Sequence, residues 1–185
     1  MVTSSRNLAA TSIRTVVVTN AEQLAHAYAI RSICFMEETG LTAYQAFDGN
    51  DFQATHIMMY AGDEPIGSTR IRWFSDFAKI ERTAFRKAYR NARTLRICAE
   101  FVFAHVARKG YSRLITHANE KFARVWVKIL GFEEVDKPLV YAEGQEPHKE
   151  LVKRLNVPND AITAESPPNV LFRIEGSWNS PSTFG

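Results

Sequence analysis

At 185 residues, with 45% hydrophobic and 23% charged content, the chain is long enough for one well-cored domain and has the composition of a soluble globular protein. Its net charge of +3 is compatible with an anionic ligand or an acidic partner but too small to argue for nucleic acid. Cys34, Cys98, His56, His117 and His148 lack metal-ligand spacing, so no metal site is expected, and two thiols in apolar helical patterns suit a reduced compartment.

Residues 1–12 are polar and are expected to form a flexible N-terminus. They lack the apolar run of a signal peptide or membrane anchor, so a cytoplasmic location without membrane association is expected. Residues 13–18 (IRTVVV) read as a strand, and Thr19-Asn20 offers a cap to a helix whose stripe is Leu24, Ala27, Ile30, Ile33 and Cys34. Gly40 stops that helix, and LTAYQAFDGNDFQA reads as a loop. HIMMY and PIGSTRIRW flank an AGDE hairpin turn; in the second strand Arg70 and Arg72 share one face, Ile71 and Trp73 the other.

The stretch from 77 to 110 is the centre of the chain. In its strand, Lys79, Glu81 and Thr83 are expected to alternate with Ile80, Arg82 and Ala84. A short basic turn then leads into a helix built on Leu95, Ala99, Val102 and Val106, with Gly110 at a left-handed C-cap. A strand feeding a helix through such a turn can hold a phosphorylated ligand, or can simply be a strand–helix unit with a solvated turn. Next come a strand (YSRLITHAN), a helix (EKFARVWVKIL) closed by Gly131, and two strand candidates, FEEVDKPLVYAEG and PHKELVKRLNV. Residues 13–155 thus form the domain, and residues 156–185, rich in Pro and Ser, an extended C-terminal arm. Within the arm, NVLFRIEGSW is a candidate for strand addition to a partner's sheet edge, which would make a homodimer. The order of elements predicts an α/β (α+β) protein with a mixed, mostly antiparallel sheet flanked by helices.

AKIERTAFRKAYRN, HVARKGYSRLITHANEKFARVWVKILGF and AEGQEPHKELVKRL resemble the GNAT acyltransferase superfamily over roughly residues 13–155. The resemblance implies a sheet splayed between its central strands to admit the pantetheine arm of acetyl-CoA or another acyl-CoA. The family's phosphate loop is Arg/Gln-x-x-Gly-x-Gly/Ala; Arg90 fits it, but Arg93 and Leu95 replace the two small residues. The family's leaving-group tyrosine falls at Val127. Donor-binding positions carried over are Thr83, Ala84, Phe85, Arg90, Asn91, Ala92, Arg93, Thr94, Leu95, Asn119 and Trp126. The N-terminal half also resembles acyl-homoserine lactone and N-acyl amino acid synthases, through Arg31, Phe35, Asp48, Asp51, Gly67-x-x-Arg70 and Arg82. Of these, Arg31, Phe35, Asp48, Asp51, Arg70 and Arg82 are the substrate-binding candidates, and an acyl carrier protein is the alternative donor. Arg86, Lys87, Arg90, Arg93 and Arg96 could form its docking face.

The expected reaction is direct transfer of an acetyl or other acyl group to the amine of a small molecule. Glu81 is the candidate base, on the expectation that apolar neighbours raise its pKa; an ion pair with Arg70, Arg72 or Lys79 is the competing reading. A carboxylate on the acceptor suits Arg31 and an amine suits the aspartates, although Asp48 and Asp51 could serve only to shape the FDGND turn. Phe103, Phe122 and Trp126 have the spacing of core residues, and Asn119 that of a helix cap. Arg93, Leu95 and Val127 would equally suit a GNAT fold that serves as a non-catalytic binding module.

Overall fold

The computed structural model describes residues 12–138 and 146–181. Seven strands form one sheet in the order β1-β2-β3-β4-β5-β7-β6. They are β1 (Ile13–Val17), β2 (Ala54–Ala61), β3 (Glu64–Trp73), β4 (Ala78–Phe85), β5 (Arg113–Asn119), β6 (Glu133–Glu134) and β7 (His148–Arg154). All neighbours are antiparallel except β4 and β5. This is the mixed, mostly antiparallel architecture that the sequence predicts. The β2–β3 hairpin turns through Gly62-Asp63, with Gly62 at φ 62°, a left-handed value that a two-residue hairpin favours.

One face of the sheet carries α3 (Ala92–Arg108) and α4 (Glu120–Leu130), and it holds the larger core. There Ile57, Met59, Ile71 and Ile80 meet Cys98, Val102 and Val106 of α3 and Trp126 and Leu130 of α4. The other face carries α1 (Ala21–Arg31), which continues through a widened turn over Ser32–Glu37, and the short α2 (Ala43–Ala46). Its apolar cluster is small: Ala27, Ile30, Cys34, Met58, Tyr60 and Ala84. Beyond it that face turns polar, with Arg31, His56 and Arg70 all buried. Asn20 caps α1 by accepting from the Gln23 N–H, Gly110 follows α3 at φ 86°, and Gly131 ends α4 at φ 68°.

Three expectations need correction. The segment read as a loop before β2 contains α2, set by a capping box of Thr42 and Gln45. Of FEEVDKPLVYAEG, only Glu133–Glu134 pairs as strand, and residues 139–145 lie outside the described ones, as do residues 1–11. NVLFRIEGSW is not a strand: it holds the helical turn α5 (Pro168–Leu171) followed by turns. Instead of a partner's sheet edge, it meets its own domain. Glu175 accepts hydrogen bonds from Thr55 Oγ1 at 2.9 Å and from Lys109 Nζ at 3.0 Å, with His105 Nε2 at 3.0 Å, and Trp178 stacks on His105. Burial opposes the Glu175 charge, but His105 and Lys109 outweigh it and hold the carboxyl at about 2. Gly176 lies so close to β1 that an added Cβ would sit 2.3 Å from Val17 Cγ2.

Candidate active site

The sheet opens between β4 and β5. Only Ala78↔Leu114 and Lys79↔Ile115 pair, after which these parallel strands diverge. From Ile80 and Thr116 onward, the facing backbone edges have no ladder partner. Unpaired backbone N–H and C=O groups need partners, and the amides of an extended ligand could supply them.

On the β3 side, β4 carries a bulge. Ser68 pairs with Ala84 and Arg70 with Glu81, which leaves Arg82 and Thr83 opposite Thr69. Arg82 is at φ 55°, the only positive value among described non-glycine residues, and such a conformation costs on the order of 1 kcal/mol. It is held there by donation from Arg82 Nη2 to Asp48 Oδ2 at 2.9 Å, while the Thr69 and Thr83 hydroxyls meet at 2.7 Å. The bulge overturns the expected alternation. Ile80 faces α3, but Ala84 packs beneath α1, so Glu81 and Arg82 both reach the same charged cluster.

That cluster is centred on Arg70, which is fully buried. Its Nη1 donates to Asp48 Oδ1 at 2.7 Å and Asp51 Oδ1 at 2.9 Å, and its Nη2 to Asp48 Oδ2 at 2.8 Å and Glu81 Oε2 at 2.6 Å. Arg31, also buried, donates to Asp51 Oδ1 at 2.5 Å and to the Ala46 carbonyl, with its guanidinium 4.7 Å over the Phe47 ring. The structure thus brings together Arg31, Asp48, Asp51, Arg70, Glu81 and Arg82 from four separate segments. Hydrogen bonds from Arg70 hold the Asp48 carboxyl far below the usual carboxylate range. Burial alone would raise Asp51, but the Arg31 and Arg70 donors outweigh it and leave that carboxyl low as well. Asp48 Oδ1 also accepts from the Asn50 N–H at 3.2 Å, so the turn-shaping role and the ion pair coexist. Phe35 packs on the small apolar cluster beneath α1.

Of the two readings of Glu81, the ion pair with Arg70, Arg72 and Lys79 is the one the structure has. Its neighbours are cations, not apolar groups: Arg70 on Oε2, with Arg72 Nη1 and Lys79 Nζ at 3.8 and 3.7 Å from Oε1. Oε1 is buried and accepts no hydrogen bond among the described residues. Lys79 and Arg72 entered the sequence reading only as ion-pair partners of Glu81, not as binding residues. Their signal was the same-face spacing of Lys79 with Glu81 and of Arg72 with Arg70. On β5, two residues past the last β4 pair, stands His117, whose Nε2 lies 3.4 Å from Glu150 Oε2; burial, reinforced by Lys79, lowers its pKa.

At the end of β4 the chain turns through a helical turn, Lys87–Tyr89, into α3. Asn91 caps α3 by accepting from the Thr94 N–H at 3.0 Å. Residues 91–95 need no positive φ, so the loss of both glycines leaves the backbone unstrained. The Arg93 side chain is exposed and does not plug the helix start, where the N–H groups of Ala92 and Arg93 have no intrahelical acceptor. Lys87, Arg93 and Arg96 are exposed cations around it. These residues fit a pyrophosphate by charge and helix polarity. Arg90 points elsewhere: it donates from Nε to the Phe85 carbonyl at 2.6 Å and pairs with Glu38, while Arg86 pairs with Glu64.

Two residues expected near the donor are placed otherwise. Trp126 is buried in the α3–α4 core, edge-on to Phe132 at 5.1 Å, because the stripe of α4 turns it inward. Asn119 caps α4 by accepting from the Phe122 N–H at 3.1 Å and donates to Glu146 Oε2 at 2.7 Å. Phe103 packs on Phe132 as a core residue should, whereas Phe122 is 55% exposed and is not core.

No family model matches the chain. The uncharacterized N-acetyltransferase YjcF of Bacillus subtilis is 31% identical over 80 residues, 43% of this chain. The match spans just over half of that relative, 57% of its length. Among solved structures, an acyl-CoA N-acyltransferase from Pseudomonas aeruginosa shares the fold with a TM-score of 0.65 at 18% identity, covering 77% of this chain and 99% of that one. FeeM, an N-acyl amino acid synthase from uncultured soil microbes, also gives 0.65, at 12% identity over 80% of this chain and 93% of its own. The chain thus shares the fold of these acyltransferase structures, with the sheet open between β4 and β5.

Proposed function

We propose that the protein transfers an acyl group from acyl-CoA to the amine of a small molecule. The observation that carries this reading is the parting of β4 and β5 after two residue pairs, next to a charged cluster in which Glu81 Oε1 accepts no hydrogen bond among the described residues. The pantetheine arm would enter along the unpaired edge of β4 from Glu81 to Phe85. The pyrophosphate would lie at the start of α3, near Ala92, Arg93 and Thr94. Backbone N–H groups at the bulge, from Thr83 to Phe85, would polarise the thioester carbonyl.

The acceptor nitrogen attacks the carbonyl carbon, the C–N bond forms and the C–S bond breaks. The amine proton passes to Glu81 Oε1, and the thiolate leaves to be protonated by solvent, since Val127 offers no acid. Arg31, Asp48, Asp51 and Arg70 act through Glu81 and Arg82 as positioning residues. Arg70 anchors Oε2, while Oε1 faces Arg72 and Lys79 without accepting a hydrogen bond among the described residues.

The test is a thermal shift with acetyl-CoA, with a long-chain acyl-CoA, and without ligand. A ligand at about a hundred times its Kd stabilises the fold by about 2.7 kcal/mol. For 185 residues that raises Tm by about 7 °C. No shift with either donor would overturn acyl-CoA as the donor.

A further inference from the structure

Beyond the opening, β5 and β7 carry titratable groups that lie outside the charged cluster. Their register sets His117 opposite Glu150 and Asn119 opposite His148, so His117, Glu150 and His148 share one face. Lys79, His117 and Glu150 line a groove of about 790 Å³ that runs from β4 across β5 and β7. His117 Nε2 lies 3.4 Å from Glu150 Oε2. The His117 side chain is 28% exposed, yet its Nδ1 is buried without a partner among the described residues. The ring edge open to the groove is therefore the one that bears Nε2.

The surroundings of the ring set its charge. Burial, Lys79 on β4 and His148 on β7 oppose the imidazolium, and Glu150 favours it. Glu150 is itself held by Lys137, whose Nζ donates to Oε1 at 2.5 Å. The net lowering leaves His117 neutral at pH 7, with a lone pair to offer.

An alkylamine is an ammonium at neutral pH, with a pKa of about 10. Two protons must leave its nitrogen before the amide is complete: one to free the lone pair, and one as the C–N bond forms. Glu81 takes the second. Resting on the acyltransferase reading, the geometry points to His117 as a further catalytic base that takes the first, with Glu150 as its positioning partner. The ammonium N–H bond breaks, directly or through one water, and the proton lands on His117 Nε2. The imidazolium then faces Glu150 Oε2 and returns its proton to solvent through the groove, while the freed amine attacks the thioester carbon.

The experiment follows thiol release from acetyl-CoA with benzylamine, an ammonium at pH 7, and with O-benzylhydroxylamine, which is of similar shape but neutral there. A general base contributes about 100-fold or more, so His117→Gln should lower kcat/KM for benzylamine by that factor and leave O-benzylhydroxylamine within about threefold. Glu150→Gln removes the charge that favours the imidazolium. The acid limb of the benzylamine pH profile should then move to lower pH, and the His117 ring, followed by NMR without any ligand, should titrate lower by the same amount. Retained turnover of O-benzylhydroxylamine shows that each variant is folded. Equal loss for both amines in His117→Gln, or a limb and a ring titration unmoved by Glu150→Gln, overturns the proposal and leaves the acyltransferase reading standing. Thiol release by the native protein from neither amine, nor with lysine or spermidine, overturns that reading and the proposal with it.

Discussion

Arg70→Met isolates the central physical claim, that one buried guanidinium organises the site. The side chain has no exposed surface and donates four hydrogen bonds to three carboxylates on two elements. Methionine matches its bulk but leaves Asp48, Asp51 and Glu81 without their shared cation. Removing one partner of a buried ion pair costs about 3–5 kcal/mol, because the other charge stays buried. With an unfolding entropy of about 0.4 kcal/mol per kelvin for 185 residues, Tm should fall by about 8–13 °C. Scanning calorimetry at pH 7 checks the figure, with Arg70→Lys expected to lose less, since an ammonium keeps the charge but cannot bridge. A loss under about 2 °C for Arg70→Met would refute the reasoning, because the carboxylates would then have other partners or be solvated.

Asp48 and Asp51 both have carboxyls held below their unfolded values. The stability they contribute is therefore present above about pH 4 and is lost as pH falls through the folded values. Urea midpoints between pH 7 and pH 3 should fall less steeply in Asp48→Asn than in the native protein. Gly176→Ala forces a Cβ into Val17 at a residue with φ 83°, so the C-terminal arm should release and residues 160–181 should become open to limited proteolysis. Glu175→Gln weakens the same anchor and should act in the same direction, with an expected loss of about 1–2 kcal/mol. Burial pushes the Cys98 thiol up to about 12 and raises Cys34 as well, so neither should react with a thiol reagent at pH 8 until the protein unfolds.

The periodic elements were legible from sequence because apolar spacing alone determines them. The stripe of α3, the alternation in β3 and the glycines at 110 and 131 stand where pattern and capping place them. The bulge at Arg82 was not legible. A strand period predicts opposite faces for Glu81 and Arg82, whereas the bulge brings both to one cluster, where Arg82 meets Asp48, 34 residues away in sequence. For Glu81 the ion-pair reading holds and the apolar one fails, because the β3–β4 register brings Arg70 and Arg72 beside it. NVLFRIEGSW has the composition of a strand, yet Pro167 and Pro168 start a helical turn and Glu175 finds its partners on α3 and β2. Arg93 and Leu95 looked like obstacles to a phosphate, but both sit in an ordinary helical turn with the Arg93 side chain in solvent.

The parting of β4 and β5 as the donor site is tested most directly by hydrogen exchange with and without acetyl-CoA. The account predicts slowed exchange at Glu81 to Phe85, at His117 to Asn119 and at the first turn of α3, with little change in β1 and β2. Unchanged exchange along both edges of the opening, at acetyl-CoA concentrations that saturate any binding seen by calorimetry, would contradict it.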